Sequence, residues 1–439
     1  MTENMTMREA AFKVAETLTN AGFEAYVCGG AVRDTLLGLD PKDFDVTTSA
    51  TPEEVASVFP NNHDFVGAHF GVSLVKFDNL FVELATFRAD SATSDGRRPD
   101  SVEFVRSAKE DVLRRDFTVN ALLMKADGTV VDHVGGVEDL NNRVLRCVGD
   151  ANTRFNEDHL RLLRAVRFAA NHGLTMETET FNAVKANAHL VANVSVERVA
   201  SELSRMLTGG HADVAFWMLL ETGLTDFVMP ELVAMVGCEH NSPEMHPEGD
   251  VANHTALLLK NLPKGCSLTL ALSALLHDAA KPVTLKVGET RNTFHGHETV
   301  GAEMAATMLH RLKFSNDVVD TVVSHVKNHM KFFSVQNMKK SSLLRFARTP
   351  NFSELCELSR LDVMASNNNF SDLEFLNNFL RENEAVLNAN RLVTGEDLKA
   401  LGFVPGPVFK TLLEAVETER LEGRLTTKEA ALEFLRGQL

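Results

Sequence analysis

Long apolar runs are missing from this chain. Nothing in its 439 residues approaches the roughly 18 consecutive apolar residues of a membrane-spanning helix, so no membrane partner is expected. The opening MTENMTMREAAF has neither the basic start nor the apolar core of a signal peptide, which predicts a cytoplasmic protein. Cysteine is sparse: Cys28, Cys147, Cys238, Cys266 and Cys356 are scattered, odd in number and never spaced like a zinc knuckle. They read as reduced thiols, which excludes a disulfide framework. Low-complexity tracts and internal repeats are also absent. Basic charge is the last deficit. With 44 Lys and Arg against 60 Asp and Glu the formal charge is −16, which excludes a generic nucleic-acid clamp, because phosphate binding draws on Lys and Arg.

What is present is an ordinary globular composition, 44% apolar and 24% charged, in a chain long enough for several domains. Any nucleic-acid partner has to meet local basic patches, and there are two. Six arginines, Arg143, Arg146, Arg154, Arg161, Arg164 and Arg167, face three acids over 143–167. From Thr321 to Ser353 there is no acid, while Lys327, Lys331, Lys339, Lys340, Arg345 and Arg348 are basic. Each patch reads either as a solvated helix face or as an RNA-binding surface.

Residues 1–150 alternate helix and strand and predict a small α/β domain. The strand EAYVC runs into Gly29-Gly30 and a short helix AVRDTLLG, and FDVTT reads as the next strand. Thr51 and Pro52 open a helix. Two hairpins are expected, one around Asp78-Asn79 and one closed by Asp127-Gly128. From about 155 onward the spacing of apolar residues is helical. This divides the chain into a head at 1–150, a helical neck at 151–215, a helical body at 216–385 and a tail at 386–439.

Within KDFDV, Asp43 and Asp45 are two apart, so on a strand they project from one face while Phe44 packs behind them. A carboxylate pair suits a hard cation such as Mg²⁺, which takes a few carboxylate oxygens and completes its shell with water and phosphate. Gly29-Gly30, between strand and helix, lets backbone N–H groups approach a phosphate. A phosphate cradle followed by a metal-binding pair is what nucleotidyl transfer needs.

GGAVRD…DFDVTT, RRDFTVNAL at 114–122, NEDHLRLLRAVRFAA at 156–170 and SVERVASELSRML at 195–207 resemble, in order and spacing, the motifs of the class II tRNA nucleotidyltransferases, which include CCA-adding enzymes and bacterial poly(A) polymerases. The resemblance implies a polymerase-beta-like α/β head followed by an all-α neck, body and tail. It implies that Asp43 and Asp45 hold catalytic Mg²⁺ while an RNA 3′-hydroxyl attacks the α-phosphate of CTP or ATP. Glu83 reads equally as a third carboxylate or as a surface glutamate. Gly29, Gly30, Arg33, Arg114, Asp116 and Asn120 are implied to bind ribose and triphosphate, or, for Arg114 and Asp116, to form a salt bridge at a helix end. If 157–168 is one helix, Asp158, Arg161 and Arg164 share a face, and the family uses such an Asp and Arg to read the base edge. The resemblance implies that Arg167 belongs to the same nucleotide and primer site. The alternative for this segment is a Glu157–Arg161 surface pair. The polar loop from Arg88 to Pro99, with Asp95, Arg97 and Arg98, resembles the family's mobile loop, although Ser94 stands where an aromatic is expected.

In the second half, His254, His277, Asp278, His297, His329 and Asp362 follow the order of the HD phosphohydrolase superfamily, whose imidazoles and carboxylates bind one or two divalent metals. They read either as ligands of a second divalent transition metal or as structural helix residues. The tail beginning VTGEDLKALG resembles the C-terminal segment of HD-containing CCA-adding enzymes. The leading expectation is CCA addition to tRNA from CTP and ATP, by a monomer or homodimer. The alternatives are an A-adding enzyme, a poly(A) polymerase, or an HD phosphohydrolase acting on RNA ends.

Overall fold

The computed structural model describes residues 5–60, 63–67, 71–77, 79–90, 96, 102–242, 244 and 246–438. The chain forms two compact units, residues 1–233 and 234–439. Among the described residues no helix is long and apolar enough to cross a membrane.

The first unit opens on helix α1 (Met7–Asn20), capped by Thr6 and Glu9 in a reciprocal capping box. Its Ala10, Ala11, Val14, Ala15 and Leu18, at helical spacing, are buried. The sheet that follows has seven strands: β1 (Ala25–Cys28), β2 (Asp45–Thr48), β3 (His63–Gly67), β4 (Val72–Phe77), β5 (Leu80–Thr86), and the short β8 (Leu123–Met124) and β9 (Val130–Val131), in the order β3-β4-β5-β2-β1-β8-β9. Neighbours run antiparallel except β2 and β5, which are parallel. Both expected hairpins form, β4 with β5 and β8 with β9; Asp78 lies outside the described residues. A separate ribbon pairs β6 (Arg88–Asp90) with β7 (Val102–Phe104). Asp95, Arg97, Arg98 and Ser94 of the polar loop lie outside the described residues.

Two details differ from the sequence reading. The strand expected over FDVTT starts at Asp45, so Asp43 precedes the ladder rather than belonging to it. The helix expected over 157–168 is interrupted. Counting α2 (Gly30–Leu36), α3 (Pro52–Val58), α4 (Ala108–Leu113) and α5 (Gly136–Asn141), helix α6 (Ala151–Glu157) ends on Asp158 in extended backbone, and α7 (Leu160–His172) starts after His159. The Asp158 carboxylate accepts the Leu160 N–H at 3.1 Å, the role of a side chain that opens a new helix. Gly173, in the left-handed conformation, closes α7. After α8 (Thr178–Asn187), helix α9 (Val196–Leu207) buries Val199, Leu203, Met206 and Leu207 along one stripe.

The second unit is helical. Helices Val251–Lys260, Leu268–Leu276, His297–Arg311, Asn316–Asn328 and Phe352–Ala365 bring their histidines and aspartates inward. Helices Gly395–Ala400, Pro407–Leu421 and Lys428–Arg436 close a small core of Val393, Leu398, Leu412, Val416, Ala431 and Leu435.

Candidate active site

Asp45 opens β2 directly opposite Cys28, the last residue of β1. One residue later the chain turns at Gly29, whose φ of +68° strongly favours glycine. A Cβ there would sit 3.6 Å from the Arg115 guanidinium, so the turn and Arg115 approach closely. The parallel register that sets Val46 beside Leu84 brings Glu83 level with Asp45. Asp43, Asp45 and Glu83 are all exposed, above the buried Phe44. Partial desolvation, then the charges of Glu83 and Asp43, push the Asp45 carboxyl up to about 6, and Arg115 offsets only part of this. Three carboxylates that crowd one edge with too little positive charge make a cation site.

Behind this edge lies a connected set of side chains. Arg33 on α2 donates to Asn120 Oδ1 at 2.5 Å, and Asn120 Nδ2 donates to Asp116 at 3.2 Å. The other Asp116 oxygen accepts two hydrogen bonds from Arg164 of α7, at 2.8 and 2.6 Å. Burial would raise Asp116, but Arg164 outweighs it and holds the carboxyl below its usual range. The guanidiniums of Arg33, Arg164 and Arg167 lie 5.1, 5.0 and 4.1 Å from the centre of the Phe168 ring. Gly29, Gly30, Arg33, Asn120, Asp116 and Arg164 therefore come together.

Other anticipated residues have different partners. Arg114 forms the salt bridge that was the alternative reading, but with buried Asp111, at 2.5 Å, and also donates to the Arg88 carbonyl. Arg161 makes the Glu157 pair at 2.9 Å and donates to the Arg114 carbonyl at 2.9 Å. Asp158 faces Arg198 of α9, at 3.2 Å, rather than Arg161. Arg167 is buried against Glu202 at 2.5 Å and does not join the cluster around Asp116. Gly96, within the polar loop, accepts the His159 N–H at 2.9 Å and so meets the start of α7. Sequence reasoning passed over Arg115, Phe168 and Arg198, although each stands inside a quoted motif. Arg115 bonds Asp111 at 3.0 Å and lies under the Gly29 turn.

In the second unit Asp278 is the hub. Its Oδ1 lies 3.2 Å from His297 Nε2 and 3.8 Å from His329 Nε2. Its Oδ2 lies 3.2 Å from His277 Nε2, 3.7 Å from His254 Nε2 and 2.7 Å from Lys281. Asp362 approaches His254 Nε2 at 3.0 Å. Two groups of potential ligands result, His254–His277–Asp362 and Asp278–His297–His329, all buried, with ligand atoms within 4.8 Å of one another in each. The buried Nε2 atoms of His254 and His277 have no aligned hydrogen-bond partner among the described residues. Converging nitrogens and carboxylates, with two of the nitrogens lacking hydrogen-bond alignment, fit a divalent cation. A third group, His240, His246 and Glu248, stands beside them. A cavity of about 480 Å³, lined by Lys281, Arg291, Phe294 and Phe333 among others, opens onto the centre.

Of the second basic patch, Lys327, Lys331 and Lys339 are exposed and Lys340 half-buried. Arg345 donates to Thr418 at 2.6 Å and Arg348 to Glu417 at 2.7 Å, so both hold the helix Pro407–Leu421.

Family models match this chain in three places: "Poly A polymerase head domain" at 25–146, "Probable RNA and SrmB-binding site of polymerase A" at 173–235, and "HD domain" at 250–365. The CCA-adding enzyme of Levilactobacillus brevis is 34% identical over 433 residues, 97% of this chain and 96% of that one. The chain belongs to the CCA-adding enzyme family. The CCA-adding enzyme of Geobacillus thermodenitrificans is 45% identical over 220 residues, a match that spans 50% of this chain and 54% of that enzyme. The crystal structure of the Bacillus stearothermophilus CCA-adding enzyme with CTP superposes with a TM-score of 0.74 at 27% identity, over 99% of both chains. The Thermotoga maritima CCA-adding enzyme complexed with tRNA shares the fold, with a TM-score of 0.63 at 18% identity, over 99% of this chain and 97% of that one.

The expected family and fold class are thereby established: an α/β nucleotidyltransferase head followed by helical parts that include an HD domain. Nucleotidyltransferase and HD families depend on metals, and this CCA-adding family member carries residue groups able to hold them.

Proposed function

We propose that this chain completes or repairs the 3′-terminal CCA of tRNA from CTP and ATP. The observation that carries the reading is the carboxylate edge of Asp43, Asp45 and Glu83 beside the Gly29 turn, in a chain aligned with a CCA-adding enzyme along 97% of its length. The 3′-oxygen of the primer forms a bond to the α-phosphorus, the bond between that phosphorus and the α,β-bridging oxygen breaks, and pyrophosphate leaves. Asp43 and Asp45 would hold Mg²⁺, which supplies Lewis acidity to the attacking oxygen and the phosphate. Gly29 and Gly30 leave room for the triphosphate against the backbone. Arg33, Asn120 and Arg114 bind its charge and the ribose, and Asp116 fixes Arg164 toward it.

Asp158 and Arg161 read the base edge, the carboxylate accepting from the exocyclic amine that cytosine and adenine share. To do so Asp158 exchanges Arg198, and Arg161 exchanges Glu157, for the nucleotide. Arg167 supports this site through its contact with Phe168. The loop at 88–100 adjusts it when ATP replaces CTP. Residues 1–150 serve as head, 151–215 as neck, 216–385 as body and 386–439 as tail. Lys327, Lys331, Lys339 and Lys340 meet tRNA phosphates, with Arg345 and Arg348 bracing that surface.

The test is a primer series: tRNA lacking CCA, CA or A, with each labelled nucleotide alone and in pairs. Incorporation of two C and one A on the shortest primer is expected. No C on that primer rejects CCA addition, and A alone on the longest points to an A-adding enzyme.

A second reading concerns the HD-type centre. His254, His277, His297, His329, Asp278 and Asp362 would hold a divalent transition metal, as the Nε2 atoms of His254 and His277, close to Asp362 and Asp278 but not aligned for a hydrogen bond, favour. Elemental analysis of the purified full chain tests it.

A further inference from the structure

Four histidines converge on Asp278, and three are anchored alike. His277, His297 and His329 each direct Nδ1 at the carbonyl three residues earlier, on Ala274, Phe294 and Val326, at 3.0, 2.8 and 2.6 Å. A carbonyl only accepts, so each ring carries a proton on Nδ1 and turns Nε2 inward, where the Nε2 atoms of His297 and His329 lie 3.2 Å apart. His254 differs. Its Nδ1 lies 2.7 Å from Oε1 of Glu248, a carboxylate only 4% exposed, in the turn before its helix. The same oxygen is 2.9 Å from His246 Nδ1, and the other Glu248 oxygen is buried with no hydrogen-bond partner among the described residues.

We infer that Glu248 is a positioning residue that makes His254–His277–Asp362 the tighter of two metal positions in this centre. The inference rests on the reading of the second unit as metal-binding. A carboxylate on Nδ1–H fixes the tautomer, as a carbonyl does, but it also polarises the ring and makes Nε2 a stronger donor. At the Asp278–His297–His329 position both rings direct Nδ1 at carbonyls, and the half-buried Glu298 carboxylate stays 3.7 Å from His297 Nδ1, beyond hydrogen-bond reach. Lys281 partly neutralises Asp278 on the His254 side, which leaves Glu248 as the charge that distinguishes the two positions.

The experiment titrates Co²⁺ into metal-stripped full-length protein in a D43N/D45N background, which removes the head carboxylates from the count. Binding is followed by calorimetry and by the visible absorption of Co²⁺. Two resolved steps are expected. E248A weakens the tighter step by about 10- to 100-fold and leaves the other within about twofold. E248Q, whose amide oxygen still accepts from Nδ1–H, falls between E248A and the parent. In H329A the remaining step keeps its sensitivity to E248A, whereas in H277A it loses it. Thermal melts of the stripped variants reveal any that fail to fold, and if E248A is one of them, E248Q decides. Two equal steps in the parent, or steps unchanged or equally weakened in E248A and E248Q, overturn the role of Glu248 alone. No bound Co²⁺ in the parent overturns the metal reading and the inference with it.

Discussion

In the head, Asp43, Asp45 and Glu83 stand exposed along a strand edge, whereas in the second unit Asp278 and Asp362 are buried among four histidines. The surroundings drive their acidities apart. Crowded carboxylates push Asp45 up to about 6, while facing imidazoles hold Asp278 and Asp362 far below the usual carboxylate range. The protein balances its own charge in one place and leaves it unbalanced in the other. An exposed, all-oxygen edge suits a hard cation that arrives with phosphates and water. A buried set of nitrogens and oxygens suits a resident transition metal.

Chelation separates the two most sharply. Brief EDTA treatment should abolish nucleotide addition, with full recovery on adding Mg²⁺, while metal in the second unit stays bound by elemental analysis. Loss of both together breaks the contrast. Next in size, Asp43→Asn and Asp45→Asn should each lower incorporation roughly a thousandfold, by analogy with removal of a key transition-state contact. Their content of second-unit metal should match the parent; a shared loss would mean that the two sites depend on one another.

Acidity places the two sites in different pH windows. Asp45 has its folded pKa raised, so the metal-free fold loses stability as pH climbs from about 4 to about 6, and D45N should flatten that slope in melts. Over the same range Mg²⁺ affinity should rise by up to about tenfold per pH unit, then level off. For His254, burial opposes protonation, but the carboxylates of Asp362, 3.0 Å from Nε2, and of Glu248, which accepts from Nδ1–H, prevail and lift it to about 9. Its stabilisation of the metal-free fold is therefore complete below about 6.5 and lost as pH rises through about 9. Transition-metal affinity should still be climbing above pH 7, where the Mg²⁺ curve is flat. Coincident windows would dissolve the distinction. The smallest expected effect is local. Arg198→Ala frees Asp158 from a partly exposed pair worth about 0.2–1 kcal/mol, so KM for CTP should fall by about 1.4- to fivefold. A rise instead would place Arg198 among the nucleotide-binding residues.

Chemistry written into residue identity at short spacing was readable in advance. Asp43 and Asp45, Gly29-Gly30 and the Asp116–Asn120 motif stand out by short spacing, while the six HD residues, spread from His254 to Asp362, are linked only by the resemblance; each set comes together in the structure. Pairings between distant segments were not. Asp158 and Arg198 are 40 residues apart, and Arg167 and Glu202 are 35 apart. Nothing in either local pattern selects that partner. The break at Asp158 escaped for a related reason: apolar spacing continues across it, and only the Asp158 carboxylate on the Leu160 N–H ends one helix and starts the next.

The sequence by itself determined which ligand types exist, how they are ordered and which family they belong to, because side-chain chemistry and local periodicity survive without a fold. Tertiary structure alone decided which of them are charged, paired or left bare. Acidity and hydrogen bonding depend on burial and on distances under about 4 Å, and those are set between Asp45 and Glu83, or Glu248 and His254, only once the chain has packed.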